Sequence, residues 1–161
     1  MAVRIPIVQV GGQFQQLQST DTLSVPVFSG GDVISLTNDE AGAIVICTPV
    51  YVDAASGVKK GKADAAGTKS IIGLVSDTSI TNGVAGNIII NGFLTATTGQ
   101  WDAVFGTTGG LTFNTRYYLS AATSGLGTAT APSTVGQYVL ELGIALSTTV
   151  LKVDIKSPIL L

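Results

Sequence analysis

The side chain most used for proton transfer near neutral pH is missing from this sequence: its 161 residues include no histidine. That removes the commonest general base, the commonest zinc ligand and every Ser-His or Cys-His nucleophile pair. A Ser-Lys arrangement remains conceivable in "GTKS" (67–70), but the stretch reads better as a solvated turn. Of the ten Asp and Glu, only Asp39 and Glu40 adjoin. Glycosidic cleavage needs two carboxylates held across a sugar, and nothing marks such a pair. "TNDEAG" (37–42) lacks the alternating acidic positions of a calcium loop and reads as a β-turn. "SGVKKGK" (56–62) has a glycine and lysines without the spacing of a phosphate-cradling loop, so it reads as a basic loop tip. No catalytic, cofactor or metal site is expected, and the chain reads as a non-enzyme.

The aromatic residues are the other candidates for contact with a ligand. Trp101 and Phe105 in "GQWDAVFGTTGG" stand four apart, as on one helical turn, or else decorate a loop that seals a barrel end. Tyr117 and Tyr118 in "TRYYLS" must point to opposite faces of a strand, so one ring is expected in the core and the other at a rim. Trp101, Tyr117 and Tyr118 are thus the candidate ligand or interface aromatics. Cys47, the single cysteine, lies in "AGAIVICTPVYV", where a buried thiol is the ordinary reading.

The elements that would hold these residues are strands. Amphipathic helical periodicity is nearly absent, because Gly, Thr or Asn-Gly interrupts most windows. Strands are expected at 4–10, 22–28, 32–36, 43–52, 70–76, 87–96, 116–120, 137–147 and 150–156. The last is the clearest: Leu151, Val153 and Ile155 alternate with Lys152, Asp154 and Lys156. Short strands separated by turn signals indicate an all-β fold, a compact barrel or sandwich of antiparallel strands. Asn82-Gly83 is a turn signal, whereas Asn91-Gly92 lies inside an apolar run and suits a bulge or a barrel corner as well as a hairpin. Pro6 and Pro26 push the first two strands toward an edge or an extended arm. Residues 1–30 therefore read as an arm and 31–161 as the barrel domain.

Charged residues make up 11% of the chain, against roughly 25% in an average soluble protein. Mean hydropathy is +0.49. Such a surface is either uncharged and polar or covered by another subunit, since charge is depleted at interface centres. A net charge of −2 gives no long-range pull on nucleic acid. No run approaches the roughly 20 apolar residues of a membrane span, and the start lacks the pattern of a signal peptide, so the chain is expected to be made in a cytoplasm.

Three stretches carry a family resemblance. "GGLTFNTRYYLSAATSGLGTATAPSTVGQYVLELGIALSTTVLKVDIKSPILL" resembles the C-terminal half of small tailed-phage virion proteins, with its "YYLS", its "AP" loop and its "LGIALSTTVLKVDI" run. "VYVDAASGVKKGKADAAGTKSIIGLVSDTSITNGVAGNIIINGFL" is similar to the upstream part of the same proteins, and "IPIVQVGGQFQQLQSTDTL" to a segment that opens phage fibre and head-attached proteins. The resemblance implies a capsid decoration (cement) or head-fibre protein: a β-barrel on the virion surface, made in the bacterial host, associating as a homotrimer and bound to the major capsid protein or another virion protein. On that reading the assembly contacts fall on the apolar residues of the arm, Ile5, Ile7, Val8, Phe14, Leu17, Leu23 and Val25. The alternatives are a receptor- or glycan-binding tail-fibre or baseplate module, which needs an exposed aromatic groove, and a polysaccharide-cleaving enzyme, which needs converging carboxylates.

Overall fold

The computed structural model describes residues 7–10, 13–16, 31–54 and 57–161. Strands β1 (Ile7–Val10) and β2 (Gln13–Gln16) pair antiparallel as a hairpin. The expected strand at 22–28 lies outside the described residues.

Among the described residues the body is all-β with one helix, and its centre is a closed ring. The strands concerned are β3 (Asp32–Asn38), β5 (Pro49–Ala54), β6 (Gly57–Lys60), β7 (Ile71–Val75) and β9 (Ala85–Thr95). They pair in the order β9-β3-β6-β5-β7, and β7 returns to pair with β9. Four of these pairings are antiparallel, and β3 with β6 is parallel, a pairing absent from the antiparallel reading of the sequence. Two short strands, β4 (Ile44–Val45) and β8 (Ser79–Ile80), pair with each other. Their Ile44 and Ile80 join Val50, Val58, Val75 and Ile88 in an aliphatic core inside the ring.

The second half of β9 belongs to another sheet. There it pairs with β14 (Val150–Asp154), followed outward by β13 (Glu141–Ala145), β10 (Arg116–Leu119) and β11 (Gly127–Thr128). Asn91 is opposite both Asp32 of β3 and Asp154 of β14, so β14 lies on the same edge of β9 as β7. The changeover falls at Ile90-Asn91-Gly92: the register against β3 skips Ile90, and Gly92 has φ 121°. The expectation of a bulge or corner at Asn91-Gly92 describes this point.

A larger core fills the space between this sheet, the outer face of the ring and helix α1 (Thr98–Phe105). Leu74 and Ile89, paired across β7 and β9, face it from the ring, while the next pair, Val75 and Ile88, faces the inner core. Both faces of this wall are buried, which is why "IIGLV" and "NIII" are continuously apolar rather than alternating. From β14, Leu151 and Val153 enter the larger core while Lys152 is exposed, the alternation expected of that strand.

Two expected strands are broken. Residues 43–52 contain a turn at Ile46-Cys47, with Cys47 at φ 70°, and residues 137–147 break at Leu140 between β12 (Tyr138–Val139) and β13. Strand β12 leaves to pair with β15 (Ile159–Leu160).

Helix α1 has a full capping box: Thr97 Oγ1 accepts from the Gln100 amide at 3.3 Å, and Gln100 Oε1 accepts from the Thr97 amide at 2.8 Å. Gly106, at φ 63°, closes its far end. The helix sets Trp101, Phe105 and then Tyr117 in a row of edge-to-face contacts, with ring centroids 5.2 and 5.1 Å apart. Gly127 lies against the Phe105 ring, where a Cβ would sit 2.4 Å from the nearest ring carbon. Gly127→Ala is expected to overpack this row and lower stability by about 1–3 kcal/mol in urea denaturation; an unchanged midpoint would show that Phe105 is free to move aside.

Candidate functional surfaces

The aromatic candidates are drawn into the fold rather than displayed. Trp101 and Tyr117 are completely buried, and Tyr118 is half-buried. The Trp101 indole N–H donates to the Thr149 carbonyl at 3.0 Å, and the Tyr117 hydroxyl accepts from the Thr112 amide at 2.9 Å. Their polar atoms thus fasten loops, and neither ring can stack on a ligand. The two tyrosines do take opposite faces, as the alternation requires. Of the arm candidates, Ile7, Val8 and Phe14 stand on the β1–β2 hairpin, while Ile5, Leu17, Leu23 and Val25 lie outside the described residues.

The polar motifs are likewise occupied. In "TNDEAG", Asn38 is completely buried at the end of the ring. Its side-chain amide donates to the carbonyls of Ile80 and Gly42, at 2.7 and 3.0 Å, and its Oδ1 accepts from the Glu40 amide at 2.8 Å. Glu40 Oε1 accepts from the Lys60 amide at 2.8 Å, and the Asn82 side chain donates to the Glu40 carbonyl. This network ties the end of β3 to β6, β8 and the turn at 81–84. The lysines of "KKGK" are not at a loop tip: Lys59 and Lys60 lie on β6, with Lys59 paired to Asp53 and Lys62 to Asp64. The Cys47 thiol is buried, and burial pushes its pKa far above the ordinary thiol value.

Asp102, on α1, carried no signal in the sequence analysis. Its carboxylate accepts from the Thr107 hydroxyl at 2.7 Å and from the amides of Gly110 and Gly109 at 2.8 and 3.1 Å. The Thr107 bond first, and then the Gly110 amide, hold its pKa below the ordinary value of 3.8. Its role is to shape the 106–110 loop.

A crevice with largely apolar walls lies where β7 gives way to β14 along β9. This crevice, of about 500 Å³, has Ile72, Ile90, Leu140, Ile155 and Pro158 in its walls and the hydroxyls of Ser70 and Ser157 at its rim. Its one charged group, Lys156, is bonded to Asp154 at 2.6 Å. Such walls suit apolar contact. Large apolar side chains are also exposed elsewhere: Val33, Ile34 and Val52 on the ring, Phe113 at 71% on a loop, and Val135 at 87% with Ile159–Leu161 near the C-terminus. Among the described residues, β3 has no strand beside its second edge until Thr37 meets β6.

Two measurements check this account of the polar groups. Asn38→Ala leaves buried partners unsatisfied and is expected to cost at least about 1–3 kcal/mol in urea denaturation. Asp102 has a depressed pKa, so its contribution is complete above the ordinary carboxylate value and disappears as pH falls through the folded value. Wild type is therefore expected to exceed Asp102→Asn in stability at neutral pH, with the gap closing in acid below 3.8; a gap independent of pH would contradict the assignment.

The chain matches no protein-family model, no curated protein and no solved structure.

Proposed function

We propose that this chain is a non-enzymatic structural protein of a tailed-phage virion, one that decorates and stabilises the capsid as a cement or head-fibre protein. The observation that carries this reading is the combination of a doubly cored β-body with large apolar side chains left on its surface, from Val33, Ile34 and Val52 to Val135 and Ile159–Leu161. A surface with so few charges suits contacts that persist as ionic strength varies, because ion pairs weaken with salt whereas apolar contacts do not. The resemblance of 50–94 and 109–161 to small tailed-phage virion proteins supports the virion as the setting. A homotrimer would attach through three contacts at once and stay bound without high affinity at each. Its partners on this reading are its own copies and the major capsid protein or another virion protein, with no nucleic acid and no membrane.

The burial of Trp101 and Tyr117 takes two of the three candidate aromatics out of any stacking platform for a glycan-binding tail-fibre module. No observation favours that second reading.

The test is immunogold labelling of phage particles from lysates of the encoding host, with antibody raised against the purified protein. Regular label over the heads is expected. Label confined to tails, or particles bearing none, would overturn the assignment to the capsid.

A further inference from the structure

The chain contains two Asn-Gly pairs, Asn82-Gly83 and Asn91-Gly92. In this dipeptide the unhindered glycine nitrogen can attack the asparagine side-chain carbonyl, and the fold treats the two pairs very differently. Asn91 and Gly92 lie within β9, opposite Asp154 and Val153 of β14, with Asp32 of β3 on the other side of Asn91. Attack there requires opening the strand on which both sheets depend. Asn82 and Gly83 occupy an exposed turn closed by the Val84 amide bonding to the Thr81 carbonyl at 3.0 Å. Gly83 has φ 73° and Asn82 has no positive φ, which makes this a type II turn. Three bonds hold it to the ring: the Gly83 amide donates to the Asn38 carbonyl at 2.8 Å, the Asn38 amide donates to the Val84 carbonyl at 2.9 Å, and the Asn82 side-chain amide donates to the Glu40 carbonyl. Local opening of such a turn costs far less than opening a central strand.

We propose that Asn82 is a site of spontaneous deamidation in the folded protein, that Asn91 is protected, and that conversion of Asn82 loosens the end of the barrel. When the turn opens, the Gly83 nitrogen forms a bond to Asn82 Cγ, and the Cγ–Nδ2 bond breaks. Nδ2 leaves as ammonia, taking up the proton lost from the glycine nitrogen. Water then opens the cyclic imide to aspartate or isoaspartate. The product carries a carboxylate where an amide donated to the Glu40 carbonyl, and an acceptor facing an acceptor repels. The isoaspartate form also lengthens the backbone between the Thr81 and Val84 ends of the turn. Both changes act on the loop that Asn38 fastens, so the damage reaches β3, β6 and β8. This inference concerns the chain itself and holds whether or not it decorates a capsid.

The experiment is peptide mapping by mass spectrometry after incubation of the full chain at mildly alkaline pH, folded and in urea. In the folded protein, aspartate and isoaspartate are expected to accumulate at residue 82 at least tenfold faster than at 91. In urea the two sites are expected to convert at similar rates. Folded-state conversion at 91 as fast as at 82, or no conversion at 82 over a time in which the urea sample converts fully, would overturn the proposal. The structural consequence is read separately: Asn82→Asp is expected to lower the urea midpoint, and an unchanged midpoint would refute the loosening.

Discussion

Strand β9 is paired along both edges and, at Ile88 and Ile89, buried on both faces, and these two demands organise the molecule around it. A strand in that position needs apolar side chains on both sides and a place to change direction. "NIIINGFL" provides both: isoleucines where the ring wall separates two cores, then Asn91-Gly92 where β7 gives way to β14. The ring interior is narrow and takes only aliphatic side chains, whereas the wider space outside takes Trp101, Phe105 and Tyr117. The crevice at Ile90 is the geometric consequence of one strand edge serving two sheets that diverge.

Polar groups in this protein mostly fasten loops. Asn38, Asp102, Trp101 and Tyr117 each bind a loop backbone to the body through hydrogen bonds. The four ion pairs among the described residues involve side chains that are mainly solvent-exposed, and pairs of that kind contribute little. Stability therefore rests on apolar burial and neutral hydrogen bonds, which salt screens weakly. The same economy of charge leaves the exposed valines and leucines without the guard that edge strands and patches usually carry.

The sequence was most legible where a single periodicity governs a whole element. Leu151 and Val153, the opposed Tyr117 and Tyr118, and the long run through Ile88 all lie as their pattern indicates. It was less legible in "AIVICTPVYV", where Pro49 at the start of β5 is the one sign of a break and no turn residue marks Cys47, which adopts a positive φ and splits the run into β4 and β5. Helix α1 entered the sequence reading only as one of two alternatives for Trp101 and Phe105, because Thr98–Phe105 is too short for periodicity to register; its end signals were the T-x-x-Q box at Thr97 and Gly106. The ring closure and the parallel pairing of β3 with β6 depend on contacts between distant segments, which no local pattern records. Aromatic candidates for a binding surface were misleading for a related reason: residue type alone does not distinguish a ring that anchors a core from one that meets a ligand.

On the proposed reading, a weakly charged body with large apolar side chains on its surface binds other protein chains, its own copies first. The most direct measurement is the mass of the purified protein in solution, by light scattering from low to high salt. The account predicts an assembly of several 16.3 kDa chains whose mass does not change with ionic strength. A monomer at every salt concentration, or an assembly that dissociates as salt is raised, would contradict it.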